Sequence, residues 1–232
     1  MFPIRDENPT HGPTPVTILL IAVTSFVFLL QMAAGEAGGE TLIYRYGLIP
    51  GVLTGAVSLA PEVAGLPPVL TLVTSMFLHG GFLHIAGNML FLWIFGNNIE
   101  DSYGAPRFIL LYFLSGLAAA LAQVAQEPGA TIPMIGASGA VSGVMGAYLR
   151  LFPRARVVTF VFLGFFFTIV RIRAFWFLGL WFGFQAFNAL LTPLSPQGGV
   201  AFWAHVGGFV AGLTLSYVLP RRRWRRMGPW GS

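Results

Sequence analysis

The chain has 232 residues, of which 56% are hydrophobic and only 9% charged, with a formal net charge of +5. Soluble domains carry about 25% charged residues, so the composition excludes an ordinary soluble protein and implies a polytopic membrane protein folded as one compact bundle. Cysteine is absent, which excludes disulfides, thiolate zinc sites and cysteine nucleophiles.

Six apolar spans are expected in an all-α bundle. A short polar tail, residues 1–14, carries Arg5, Asp6 and Glu7. The first span runs from about Pro15 to Ala33. It exceeds a usual signal-peptide core and lacks a clean cleavage site, so a membrane helix is expected there. A long external connection follows, residues 35–74, rich in Gly and Pro and long enough to fold on its own. Span two covers roughly Gly81 to Ile99 and ends in a polar turn, Asn97 to Arg107. Span three is about Ala105 to Gln126, and span four about Ile135 to Phe152. Residues 157–170 are apolar, but Arg156 and Arg171 bracket only fourteen residues, fewer than the roughly 20 a spanning helix needs. That segment reads as re-entrant or interfacial. Span five is about Ala174 to Leu191 and span six about Val200 to Leu219, before a basic tail, residues 221–232.

Charge supports this count. All 13 basic residues are arginine. With six spans and a cytoplasmic N-terminus, only Arg45 falls outside, which is a positive-inside distribution. The tail arginines then serve as topology anchors and contacts to anionic lipid, not as a nucleic-acid site. Both termini are expected in the cytoplasm, with a bacterial cytoplasmic membrane the best fit.

Polar residues recur at one depth. His84 and Asn88 lie on one face of span two, four residues apart. Ser138 opens span four in Gly136-Ala137-Ser138-Gly139, and His205 lies in the second turn of span six. These three spans run in the same direction, so at 1.5 Å rise per residue each group sits within roughly 10 Å of the outer end of its helix. Polar side chains inside a span are costly and mark function. A serine, a histidine and further hydrogen-bond donors are what a serine hydrolase requires. Gly208 and Gly212 share the His205 face, and Gly139 and Gly143 repeat the spacing on span four. Such small-residue faces allow helices to approach closely. No carboxylate is placed to complete a triad, so a Ser138–His205 dyad is the chemistry available. His79 reads as a structural partner at the boundary. There is no HExxH motif for zinc, and the reading needs no cofactor or metal.

At these residues the chain resembles the rhomboid family of intramembrane serine proteases. Gly136-Ala137-Ser138-Gly139 matches the GxSG nucleophile motif, Ala204-His205-Val206-Gly207-Gly208 its base-bearing last helix, and His79, His84 and Asn88 its H…HxxxN pattern. The similarity covers roughly residues 15 to 220. It implies Ser138 as nucleophile, His205 as general base, and an oxyanion hole made of His84, Asn88 and the Ser138 backbone N–H. It also implies transmembrane protein substrates cut without metal or cofactor. Gly136, Gly139, Gly208 and Gly212 would be structural residues near the site. Ser142 stands where some members carry an aromatic residue that packs on the catalytic histidine, so support for His205 is expected from elsewhere. The first loop also lacks the Trp-Arg pair of some members. Two other classes compete with this reading: an inactive rhomboid-like protein that binds membrane clients without cutting them, and a transporter or channel.

Overall fold

The computed structural model describes residues 2–61, 63–164, 166–191 and 199–222. Most of the arginine-rich tail lies outside these described residues. The architecture is mostly helical. Helix α1 is Pro15–Ala33, and the long connection contains α2 (Gly35–Tyr46), α3 (Pro50–Leu53) and α4 (Pro68–Thr74). Helix α5 (Phe82–Phe91) passes through a π turn at Leu92–Gly96 into α6 (Asn97–Tyr103). Then come α7 (Ala105–Gln126), α8 (Ser138–Leu151), α9 (Ala174–Leu191) and α10 (Phe202–Val218). Among the described residues, four helical stretches are long and apolar enough to cross a membrane: Pro15–Ala33, Phe82–Tyr103, Ala105–Gln126 and Ala174–Leu191. Helices α8 and α10 are shorter, at 14 and 17 residues.

Helix α8 forms the axis of the bundle. Every residue from Gly139 to Tyr148 on it is buried, whereas α1 and α9 expose broad apolar faces that include Phe26, Leu29, Leu180, Phe184 and Phe187. Around α8 the core closes with Phe95, Phe108, Leu111, Tyr112 and Phe209, all at most 2% exposed. The close neighbours of α8 are α10 and α7. A Cβ on Gly208 would collide with the carbonyl oxygen of Gly139, and one on Gly212 with that of Gly143. On the other side, Gly143 accepts the Ser115 side chain of α7, and a Cβ on Gly207 would reach Ala122. Lipid tails are as apolar as leucine, so helices in a membrane associate through this kind of close packing.

The expected polar turn after span two is helical through Tyr103. It is broken only at Gly104, whose φ of 76° is left-handed, followed by Pro106 in the first turn of α7. Its carboxylates are tied to the N-terminal segment. Glu100, 2% exposed, accepts the Val16 and Thr17 amides at 2.9 and 2.7 Å and the Thr17 hydroxyl at 2.7 Å. A carboxylate at the first turn of α1 satisfies amides that have no intrahelical partner and complements the helix dipole. Asp101 accepts the His11 and Gly12 amides in the same way.

A small antiparallel sheet accompanies the helices, ordered β1 (Phe2–Asp6), β2 (Arg156–Leu163) and β3 (Phe166–Arg173). It takes up the segment 157–170 expected to be re-entrant or interfacial, and it recruits part of the N-terminal tail. Val157, Thr159 and Val161 are buried, while Phe160 and Phe162 are exposed and pair across the hairpin with Ile169 and Phe167. Both faces of the hairpin carry apolar residues, so the period of two is hidden in the sequence; a short apolar run does not by itself separate strand from helix. The turn at Gly164 has φ 64°. Pro3 is accommodated because β1 is an edge strand. The Tyr148 hydroxyl donates to Asp6 at 2.6 Å, and Arg171 pairs with Glu7 at 2.8 Å.

Two outcomes follow from this packing. Gly212→Val puts a branched side chain against the Gly143 carbonyl, and thermal unfolding in detergent should show a loss of about 1–3 kcal/mol, the usual cost of overpacking. Burial pushes the Asp6 carboxyl above its ordinary value, against the pull of the Tyr148 hydrogen bond. An acid raised in the folded state contributes stability that is present below the unfolded value near 3.8 and lost as pH rises through the folded one. Asp6→Asn keeps an acceptor for Tyr148 and removes that loss. Its melting temperature should therefore gain on wild type more at pH 7 than at pH 4, as thermal scans at the two pH values will read.

Candidate active site

Ser138 is the first residue of α8, and the loop before it is held from several directions. The Gly136 amide donates to the Ser75 carbonyl at 2.9 Å. Leu48 and Met134 exchange backbone hydrogen bonds at 3.1 and 2.7 Å, which fastens the long external connection to the chain leading into α8. The Ala137 amide donates to His79 Nε2 at 3.4 Å. His79 is itself bracketed by α1: its amide donates to Gln31 Oε1 at 3.1 Å, and Gln31 Nε2 donates to its carbonyl at 3.3 Å. His79 is 2% exposed, and its ring lies against the His84 ring, with centroids 5.0 Å apart.

The close approach of α8 and α10 brings the serine and histidine together. His205 Nε2 lies 2.9 Å from Ser138 Oγ, although the two residues are 67 apart in sequence. Ser142, one turn further along α8, donates its hydroxyl to the Ser138 carbonyl at 2.6 Å and faces its own helix.

Two further donors converge on the turn before the serine. Gly136 has φ 117°, a conformation that favours glycine. A Cβ there would stand 2.7 Å from His84 Nε2 and 3.6 Å from Asn88 Nδ2. The Gly80 amide donates to His84 Nδ1 at 3.4 Å, so in the neutral ring the proton sits on Nε2, the nitrogen beside Gly136. Asn88 is 8% exposed, and its Nδ2 is buried without a hydrogen-bond partner among the described residues. Buried amide donors are seldom left unpaired, and one left so beside Gly136, two residues before the serine, is available to a developing negative charge. The Ser138 amide adds a donor at a helix N-terminus, where amides lack an intrahelical acceptor. His84 is exposed at the mouth of this arrangement.

Beside Ser138 lies a cavity of about 30 Å³ lined by Met76, Gly116, Ala119, Gly136 and Ala204. One water needs roughly 10–15 Å³, so there is room for at least one next to the hydroxyl. A family model described as the Rhomboid domain matches residues 67–222, which include His79, His84, Asn88, Ser138 and His205.

The chain belongs to the rhomboid family. Among curated relatives it is 32% identical over 175 residues to "Rhomboid protein 1, mitochondrial" of Saccharomyces cerevisiae, covering 69% of this chain and 47% of that protein. It is 30% identical over 210 residues to "Rhomboid protease GluP" of Bacillus subtilis, covering 90% of this chain and 36% of that protein. Against "Rhomboid-related protein 2" of Mus musculus it is 26% identical over 221 residues, covering 92% and 67%. The chain therefore spans less than half the length of the first two relatives.

In this rhomboid the ring of His205 is supported from α9, which sequence reading did not single out. Gln185 Oε1 lies 2.8 Å from His205 Nδ1, and Gln185 is 7% exposed. Trp181, one turn earlier on the same face, packs against the imidazole with centroids 5.9 Å apart and planes at 40°. It also packs on Phe209 of α10. One signal for Gln185 was available: it is one of two amides, with Asn188, inside an apolar span, and such a group calls for a partner.

Proposed function

We propose that the protein is an intramembrane serine endopeptidase that cleaves transmembrane segments of other membrane proteins through a Ser138–His205 dyad. The observation that carries this reading is the 2.9 Å contact between the serine hydroxyl and the imidazole, with an Asn88 amide nitrogen, unpartnered among the described residues, beside Gly136. The "Rhomboid protease" name of the Bacillus subtilis relative supports proteolysis at the coarse level. In the proposed topology six helices span the membrane, both termini are cytoplasmic and the site opens to the outer side, in a bacterial cytoplasmic membrane. Residues 15–220 form the protease domain, flanked by the short N-terminal tail and the basic C-terminal one.

The chemistry follows from the geometry. A substrate helix unwinds locally, since a helical peptide bond is shielded by its own backbone. Ser138 Oγ attacks the carbonyl carbon, its proton passes to His205 Nε2, and the carbonyl π pair moves onto oxygen. His84 Nε2–H, Asn88 Nδ2 and the Ser138 amide donate to that oxyanion. Collapse of the tetrahedral species breaks the C–N bond, and the imidazolium returns the proton to the leaving amine. A water from the cavity beside Ser138 then attacks the acyl ester, giving its proton to His205, and the acid departs as Ser138 regains its hydrogen. The shallow position of the site lets water reach it, since irregular backbone at membrane depth is tolerated where it lines a water-filled cavity.

Reconstitution in liposomes with a single-span model substrate tests this directly. Ser138→Ala should lower turnover by about 10⁴-fold or more without changing the melting temperature, and a fluorophosphonate probe should label wild type and not the variant. A variant that still cleaves at the wild-type rate overturns the assignment. A wild-type protein that binds substrate helices yet neither labels nor cleaves would instead be a client-binding relative. Asn88→Ala should reduce turnover roughly 10²- to 10³-fold, as loss of one oxyanion donor does, with a much smaller change in KM.

A further inference from the structure

A neutral imidazole carries its proton on one of two nitrogens, and only one tautomer can take a proton from Ser138. The nitrogen facing the serine is Nε2, at 2.9 Å. If that nitrogen held the proton, the ring would be a donor towards the hydroxyl and no base. Something on the far side must therefore fix the proton on Nδ1. In a Ser-His-Asp triad a buried carboxylate does this and also stabilises the imidazolium. Here the far side is occupied by an uncharged amide oxygen, Gln185 Oε1, at 2.8 Å from Nδ1. A carbonyl oxygen only accepts, so the contact is a hydrogen bond when Nδ1 bears the proton.

We propose that Gln185 is the positioning residue that holds His205 in the tautomer competent as a base, filling on α9 the place that a carboxylate has in a triad. This inference rests on the dyad reading above. Three observations support it besides the distance. Ser138 and Gln185 are the hydrogen-bond partners of the His205 ring among the described residues. Gln185 is buried, so water competes little for its oxygen. Trp181 on the same helical face packs against the ring, restricting its rotation while Gln185 fixes its protonation pattern. Together they supply from α9 the support that Ser142, bonded to its own helix, does not give. An amide also differs from a carboxylate in a way that can be measured. It selects the tautomer without adding charge, so the imidazolium formed in the reaction lacks a counter-ion.

The test compares wild type with Gln185→Leu, Gln185→Met and Gln185→Glu, all in liposomes and all checked by thermal scans. ¹⁵N NMR of selectively labelled histidine reads the His205 tautomer whether or not the protein cleaves anything. Wild type should show a protonated Nδ1, also in a Ser138→Ala background, and the leucine and methionine variants should show a mixture. For cleavage, Gln185→Leu and Gln185→Met should lower kcat about 10²-fold, the lower range of general acid–base contributions, with KM within about threefold. Gln185→Glu keeps an acceptor and adds a negative charge. It should recover activity relative to leucine and move the acidic limb of the kcat profile to higher pH, because a carboxylate beside the ring favours the imidazolium. A wild-type tautomer in both apolar variants, or a Glu variant with the same acidic limb and no more activity than leucine, overturns the proposal. If wild type shows the expected tautomer but never labels or cleaves, the dyad function fails while the positioning role stands.

Discussion

The near-contact of two helix backbones, α8 and α10, is the constraint on which the site depends. At Gly208 and Gly212 the carbonyls of Gly139 and Gly143 occupy the space a side chain would need. Only hydrogen atoms there let the helices come close enough for a short serine and an imidazole to meet. The same contact does structural work that hydrophobicity cannot do in lipid, where apolar side chains gain little by leaving one apolar medium for another. Packing and the Ser138–His205 contact thus draw on the same residues.

Around that contact, precision comes from hydrogen bonds arranged in series. Gln31 of α1 grips the backbone of His79, and His79 accepts the amide of Ala137, next to the serine. Gly80 fixes the proton on the His84 ring, and Gln185 faces the proton on His205. The links through Gln31, His79 and Gln185 are buried or partly buried, a low-dielectric setting where a satisfied polar network rigidifies its members. Asn88 is the member left open among the described residues. An unpartnered donor in an otherwise paired network costs folding energy, and its position beside Gly136 is where a reaction would repay that cost.

Much of this was legible in the chain because membranes impose simple rules. Helix α1 and helix α9 have the bounds that apolar run length predicts, since in lipid every backbone group must be paired within its own helix. The motifs that carry His84, Ser138 and His205 were legible from residue type and spacing alone. Residues 157–170 were harder: Val157, Thr159 and Val161 face the core while Phe160 and Phe162 face outward, so neither face is polar and no alternation shows. The helices inside the 35–74 connection were hidden by its Gly and Pro content. Glu100 and Asp101 read only as part of a polar turn because their partners, the amides of residues 11 to 17, lie more than eighty positions away.

By itself the sequence determined the kind of protein, its long apolar helices, its arginine-only basicity, and the motifs that carry the serine and the histidines. These are local or one-dimensional properties, set by hydropathy, spacing and charge. Only the tertiary structure decided that Ser138 and His205 touch, that His84 and Asn88 converge on Gly136, and that a glutamine rather than an acid stands behind the histidine. Such facts depend on which helix faces meet and at what distance. That choice is made by side-chain volume across the whole bundle, where one methyl group at Gly208 or Gly212 would alter the answer.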